Sequence, residues 1–299
     1  MRECTHCFNP LAGYDWHCHA CGFLPRYQDG IACLSPRMLG HNDGYNEALF
    51  SEYVRLVDSH FWFTGRLNLI IDTMRVHCPA PAAMLEIGCA TGHVLAGIHK
   101  NFPGHRLTGA EPSIVPLKTA ARRLPDAAFV QMDGRCIPWS NEFDVIGAFD
   151  VLEHIEEDEL VLRQMHRACK HGGIIMLTMP QHRWLWSRTD VDAAHKRRYT
   201  RRELLHKVRA AGFHVNYVSS FMFLLLPAMV ASRVMQRSKK SGRSPVDDGF
   251  KISPWLNRLF SLVFGMERLL LSVGIRFPVG GSLLLVARKI PQDAGGSGA

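Results

Sequence analysis

Met84-Leu85-Glu86-Ile87-Gly88-Cys89-Ala90-Thr91-Gly92-His93 is the stretch whose reading decides the fold of this chain. Ala82 to Ile87 is a short apolar run broken only by Glu86, which is the length and character of a buried strand. Gly88 and Gly92 then let the backbone turn sharply and approach a ligand, and Val94, Leu95 and Ile98 restart the apolar positions at helical spacing. A strand that breaks into a glycine-rich turn and reopens as a helix is the local form of a nucleotide-cofactor site. The turn departs from the dinucleotide fingerprint G-x-G-x-x-G, because Ala90 takes the middle place and the second glycine is fifth.

Two acids downstream sharpen that reading. Leu107 to Ala110 reads as a second strand ending at Glu111, whose carboxylate can accept hydrogen bonds from both ribose hydroxyls. Ala128 to Met132 gives a third strand ending at Asp133, where a side-chain oxygen can take the amino group of adenine. Phe143 to Phe149 is a fourth, ending at Asp150 and running into Val151-Leu152-Glu153-His154. These residues resemble the class I S-adenosylmethionine-dependent methyltransferases, in particular the broad group that includes the ubiquinone-type O-methyltransferases. The family's first motif, an acid followed by G-x-G-x-G, matches Glu86, Gly88, Ala90 and Gly92, with Ala90 as the departure. Its ribose acid matches Glu111, its adenine acid Asp133, and its post-strand Leu-Glu-His run Leu152 to His154. The resemblance implies S-adenosylmethionine as cofactor at these positions, and an α/β, Rossmann-like sheet of seven strands. A cofactor contact from Asp150 is open.

At 299 residues the chain holds one large α/β domain with an appendage and has apolar content for a full core. Net charge is +8, with the excess late, at Lys196, Arg197, Arg198, Arg201, Arg202, Lys207 and Arg209, then Arg233, Arg237, Lys239, Lys240 and Arg243. A basic surface suits nucleic acid, an anionic membrane face or a diphosphate-linked substrate, or serves solubility alone. Met1-Arg2-Glu3-Cys4 has no apolar signal region, so a cytoplasmic location is expected, with peripheral contact to the inner face of the membrane as an open addition. There the nine cysteines stay reduced unless they bind metal.

Cys4-x2-Cys7 and Cys18-x2-Cys21-Gly22 are two knuckle-forming pairs that together complete a tetrahedral zinc site. His6, His17 and His19 in the same stretch are alternative ligands. A closed four-ligand site is structural, so residues 1–30 are expected to form a zinc ribbon. Residues 31–80 read as a linker, from Ile31 to Gly44, followed by helices over Tyr45 to Asp58 and from His60 to about Val76. In similar methyltransferases the segment before the first motif folds over the cofactor, and by position Arg66 can pair with the carboxylate of its methionine end. The alternative leaves Arg66 as a surface charge, with Phe61, Trp62 and Phe63 packing the helix.

The core is expected over residues 81–222 with 280–290. Glu156 to Cys169 is an amphipathic helix, Ile174 to Met179 the fifth strand, and Gln181 to Trp186 a loop at the edge where open α/β sheets bind ligands. Thr200 with Glu203 caps a helix through Ala211, Phe213 to Ser219 is the sixth strand, and Ser282 to Arg288 the last, completing an antiparallel pair. Residues 223–279 form an apolar helical insertion where family members usually have a short connection. Its first run, Phe221 to Ala231, is too short to span a bilayer. Its second helix, Pro254 to Val273, sets a polar stripe of Arg258, Ser261, Gly265, Arg268 and Ser272 against a wide apolar face. A packing helix, a lid, a dimer contact or an in-plane membrane helix all fit that pattern. Residues 291–299 read as a disordered tail.

Methyl transfer needs an acceptor atom in line with the sulfonium methyl, and a base where that atom is a hydroxyl. His154 and His195 are the catalytic candidates, with Asp150 on the same edge. The expected acceptor is a small-molecule or lipid-linked compound, methylated on oxygen. An RNA methyltransferase that uses the ribbon and the basic surface is the rival, but Asp150-Val151-Leu152-Glu153 lacks the D/N-P-P-Y pattern of enzymes that methylate exocyclic base nitrogens. A non-enzymatic docking module would require a lost cofactor pocket, whereas Glu86, Gly88, Glu111 and Asp133 are all present.

Overall fold

The computed structural model describes residues 1–13, 15–35, 38, 54–78, 81–238 and 252–290. Most of the expected linker, the helix over Tyr45 to Asp58 as far as Tyr53, the basic residues Lys239, Lys240 and Arg243, and the tail from 291 lie outside them.

Two short strands come first, β1 (Arg26–Gln28) and β2 (Ile31–Cys33). They are followed by α1 (Phe61–His77), β3 (Ala83–Ile87), α2 (His93–Asn101), β4 (Arg106–Glu111), α3 (Ile114–Arg123), β5 (Ala128–Gln131) and β6 (Phe143–Phe149). The second half holds α4 (Asp158–Ala168), β7 (Cys169–Pro180), α5 (Arg188–Asp192), α6 (Arg201–Ala210), β8 (Phe213–Phe221), α7 (Leu226–Ser238), α8 (Pro254–Ser272) and β9 (Ser282–Lys289).

One sheet runs in the order β1-β2-β5-β4-β3-β6-β7-β9-β8. From β5 to β8 it is the expected seven-stranded arrangement, parallel except for β9, which is antiparallel to both β7 and β8. Strands buried on both faces read as continuous apolar runs. Alternation sends Leu85 and Ile87 of β3 into one core and Met84 into the other, so helices can cover both faces. β3 has β4 on one side and β6 on the other. The crevice beyond their carboxyl ends is therefore the topological switch point, where open α/β sheets take ligands.

The linker expectation fails at its start. Ile31–Cys33 is buried and pairs with β5 in parallel register, extending the sheet to nine strands. Ser35 Oγ then accepts from Asp133 N at 3.1 Å, so this segment braces the end of the adenine-acid strand. The amino-terminal segment is also docked on the core. Glu3 N donates to Pro138 O at 3.0 Å, Trp16 meets Trp139 edge-on at 5.4 Å, and Glu3 pairs with Arg167.

In the insertion, α8 packs along α1. Asn257 Oδ1 accepts from Phe61 N at 2.8 Å, Arg268 pairs with Asp72 at 2.6 Å, and Phe264, 1% exposed, fills the space over Gly65. Arg268, read from sequence as part of a polar stripe, is thus an anchor to α1. Phe264→Ala leaves a cavity between α8 and the core, and is expected to lower unfolding free energy by about 3 kcal/mol in urea titration. A loss below about 1 kcal/mol would mean that α8 is not seated as described.

Candidate functional site

The site is built on the turn after β3. Gly88 has φ of 70° and Gly92 of 71°, and Gly92 is the N-cap of α2. A Cβ at Gly88 would meet Val151 Cγ2 at 2.5 Å, so the residue is required for its φ and for its lack of bulk. Ala90, where the family pattern has glycine, also has positive φ, 45°. Its backbone N donates to Glu111 Oε2 at 3.2 Å, while Ser113 N donates to Oε1 at 3.4 Å. Each oxygen of Glu111 keeps a lone pair for a further donor.

Glu86 is 2% exposed, and its Oε2 is buried without a hydrogen-bond partner among the described residues. Burial raises its carboxyl to about 8, against the opposing pull of Arg66. Burial likewise raises Glu111 to about 7, although part of its surface is open. Asp133 stands at the end of the neighbouring strand, as expected, but its carboxylate is gripped by Arg135, with Nε at 2.9 Å and Nη2 at 2.8 Å from Oδ2. Sequence reasoning had no signal for that pair beyond two residues of separation.

Arg66 is no surface charge. It is 7% exposed, paired with Asp150, with Nη1 3.5 Å from Phe149 O at the carboxyl end of β6. Asp150 itself has φ of 57°. Arg66 and Asp150, both read from sequence as candidates for a cofactor contact, thus meet at the carboxyl end of β6.

Beyond Asp150, a single 3-10 turn carries Leu152 to His154. Glu153 is fully buried, and neither carboxylate oxygen has a hydrogen-bond partner among the described residues, His195 Nε2 standing 4.0 Å off. The His154 and His195 rings meet edge-on at 4.7 Å. Desolvation, then the neighbouring His195, lowers His154 to about 4, which keeps it neutral. His195 Nδ1 lies 3.0 Å from Asp190 Oδ1, an arrangement that puts the proton on Nδ1 and leaves Nε2 as the acceptor.

Asp190 is the residue that sequence reasoning missed. It is 1% exposed, held by Arg198 Nε at 2.7 Å and Nη2 at 3.1 Å and by the Ser187 backbone N at 2.8 Å. Burial alone would raise its carboxyl, but His195 and Arg198 hold it well below the usual range. The available signal was Ser187 with Asp190 three residues on, a capping pattern at the start of α5. Arg198, read as part of a basic surface, is an interior partner of Asp190; Arg197 and Lys207 pair with Asp158. This part of the positive run is neutralised internally. A shallow hollow on α6, lined by Arg201, Arg202, Leu205, His206, Arg209 and Ala210, contains none of the site residues.

Two groups among the described residues bring together the donors of a metal site, Cys4, Cys7, Cys18 and Cys21, and Glu153, His154 and His195. In the first, Cys4 and Cys21 Sγ are 3.7 Å apart and Cys7 and Cys18 Sγ 3.5 Å, close to the roughly 3.8 Å edge of a tetrahedral zinc–thiolate site. His6, His17 and His19 are not in that group. His17 meets His19 edge-on, and His6 stacks on Phe23.

A family model described as "Methyltransferase domain" matches residues 62–218, more than half of the chain. Trans-aconitate 2-methyltransferase from Paracidovorax citrulli is 32% identical over 111 residues, 36% of this chain and 43% of that protein. Its counterpart from Variovorax paradoxus is 28% identical over 110 residues, 36% of this chain and 42% of that protein. The chain thus aligns with less than half the length of these curated relatives. Among solved structures, a complex of the Haloferax volcanii Trm112 methyltransferase activator with a protein named as a methyltransferase matches with TM-score 0.54 at 15% identity, over 83% of this chain and 97% of that one. Phosphoethanolamine N-methyltransferase 2 of Haemonchus contortus, solved with S-adenosyl-L-methionine, matches with TM-score 0.50 at 16% identity, over 75% and 52%. The [4+2]-cyclase SpnF matches with TM-score 0.50 at 19% identity, over 74% and 80%, so the shared fold carries more than one chemistry.

The buried acids set a pH dependence. A carboxyl raised on folding contributes stability below its unfolded pKa, and loses it as pH climbs through the folded value. Glu86 and Glu153, both raised to about 8 by burial, should therefore make the cofactor-free protein less stable from about pH 6.5 to 8. Below that window the buried His60, held down by desolvation, acts in the opposite sense. Glu86→Gln should flatten the alkaline slope of the urea midpoint; a slope equal to that of the parent would assign the effect elsewhere.

Proposed function

We infer that this chain, which belongs to the methyltransferase domain family and is an enzyme that uses S-adenosylmethionine as its methyl donor, methylates an oxygen of a small-molecule or lipid-linked acceptor. The observation that carries the acceptor reading is the Asp190–His195 pair, set beside His154 just past the carboxyl end of β6.

The residues present fit the cofactor. The positive-φ turn at Gly88 and Gly92, the unpartnered Glu86 oxygen and the spare acceptor capacity of Glu111 are what a nucleoside with a charged tail requires. Glu111 would accept from the ribose hydroxyls, Asp133 from the adenine amino group, and Arg66, whose guanidinium has five donors, would bind the methionine carboxylate while keeping Asp150. Backbone at Gly88, Ala90 and Gly92 would line the methionine end. When bound, the cofactor would supply a methyl carbon on a positively charged sulfur, open to in-line attack by an acceptor oxygen. His195 Nε2 takes the hydroxyl proton, while Asp190 fixes the tautomer and balances the imidazolium charge. His154, whose ring meets that of His195 edge-on at 4.7 Å, would contact the acceptor beside it.

An anionic acceptor has support from two sides. Arg233 on α7 reaches Thr189 Oγ1 at 3.3 Å, and its Nε is buried without a hydrogen-bond partner among the described residues. The relatives at 28% and 32% identity act, by name, on trans-aconitate, a small polycarboxylate. The same reading places one structural zinc on Cys4, Cys7, Cys18 and Cys21.

Incubation of the protein with methyl-labelled S-adenosylmethionine and cell extract, followed by separation into lipid, RNA and small-molecule fractions, should put label in the lipid or small-molecule fraction. With the acceptor found there, His195→Gln should reduce kcat by about 10²-fold or more while cofactor affinity is kept. Label confined to RNA, or full turnover in His195→Gln, would overturn the reading. Elemental analysis should count about one zinc per chain, lost in the Cys4→Ser, Cys21→Ser double variant; unchanged metal content would reject those ligands.

A further inference from the structure

Helix α8 has two faces with different fates. Phe264, Glu267 and Leu271 point into the core. On the opposite side Trp255, Leu259, Leu262, Met266, Leu269 and Val273 are 44–74% exposed. Their separations alternate between four and three residues, so they fall on one stripe roughly 27 Å long. Six large apolar side chains in a row exceed the scattered exposure that any soluble surface carries.

Charge decides what covers them. Glu267, the only acid on α8, is buried and accepts from Leu224 N at 2.9 Å, and Arg268 is committed to Asp72. Among the described residues, the exposed ionic groups left at the border are Arg258 within the helix and Arg276 just past it, both positive. A second copy of α8 laid on the stripe would set Arg258 against a seam with no exposed acid, where paired helices place complementary charges. An anionic lipid surface fits both features, because the stripe can enter the boundary between headgroups and acyl chains while the arginines stay among phosphates. No helix among the described residues is long and apolar enough to cross a membrane, so such a helix lies in the plane.

We propose that the outward face of α8 docks the protein on the surface of an anionic bilayer, with Trp255, Leu259, Leu262, Met266, Leu269 and Val273 inserted and Arg258 and Arg276 at the headgroups. The proposal stands apart from the acceptor assignment, since a membrane-docked enzyme can methylate either a lipid-linked or a soluble compound.

The full-length protein should float with phosphatidylglycerol–phosphatidylcholine vesicles at low salt, less at high salt, and poorly with phosphatidylcholine alone. Leu262→Ser with Leu269→Ser should lower vesicle partitioning by at least about tenfold while S-adenosylmethionine binding, the check on folding, is kept. Arg258→Glu, a change on an exposed flank, should weaken binding to the anionic vesicles alone. The vesicle-induced blue shift of tryptophan emission should vanish in Trp255→Phe. Failure to float at low salt would overturn the proposal. So would a dimer in sedimentation velocity that the double serine variant converts to monomer while vesicles are ignored, since the stripe would then belong to a second copy.

Discussion

Gly88 and Val151 lie so close that any side chain on the first would collide with the second. The first closes the strand that makes the cofactor cradle, the second opens the segment that carries Glu153 and His154, and the space a Cβ would take at Gly88 is filled by the Val151 side chain. β3 and β6 are adjacent and parallel, so their carboxyl ends deliver both turns to one crevice. The turn after β3 and the segment after β6 are therefore fixed relative to each other by backbone register and one side-chain contact. In-line methyl transfer is mainly a matter of holding two groups at the correct distance.

Around this contact the site stores buried charge in two ways. Glu86, Glu111 and Glu153 are acids whose burial favours the protonated form. Asp190 is the opposite case, a buried acid held ionised by Arg198 and His195. An ionised carboxylate behind a histidine is what makes the far nitrogen a useful proton acceptor. A protonated glutamic acid there would not serve.

Much of this was legible because it is local. Each core strand is a short apolar run closed by a polar or glycine residue, and Glu86, Glu111, Asp133 and Asp150 mark strand ends by position alone. β1 and β2 were not legible, since three residues are too few for a period and Ile31–Cys33 is recognisable as a strand only once β5 is there to pair with it. The Asp190–Arg198 pair and the commitment of Arg197 and Lys207 to Asp158 depend on tertiary approach, so a run that reads as basic surface is in part interior. The exposed stripe of α8 shows the same limit, because periodicity gives two apolar faces no order of burial. Phe264 goes inward because α1 offers Gly65 there.

The central claim is that the crevice between the β3 and β4 ends holds S-adenosylmethionine through Glu111. Isothermal calorimetry on the wild-type protein and on Glu111→Ala tests it directly. The account predicts binding in the micromolar range for the wild type, weakened by about tenfold or more once the ribose acceptor is removed, as expected for a charge-assisted hydrogen bond. Equal affinity in the two proteins would contradict it.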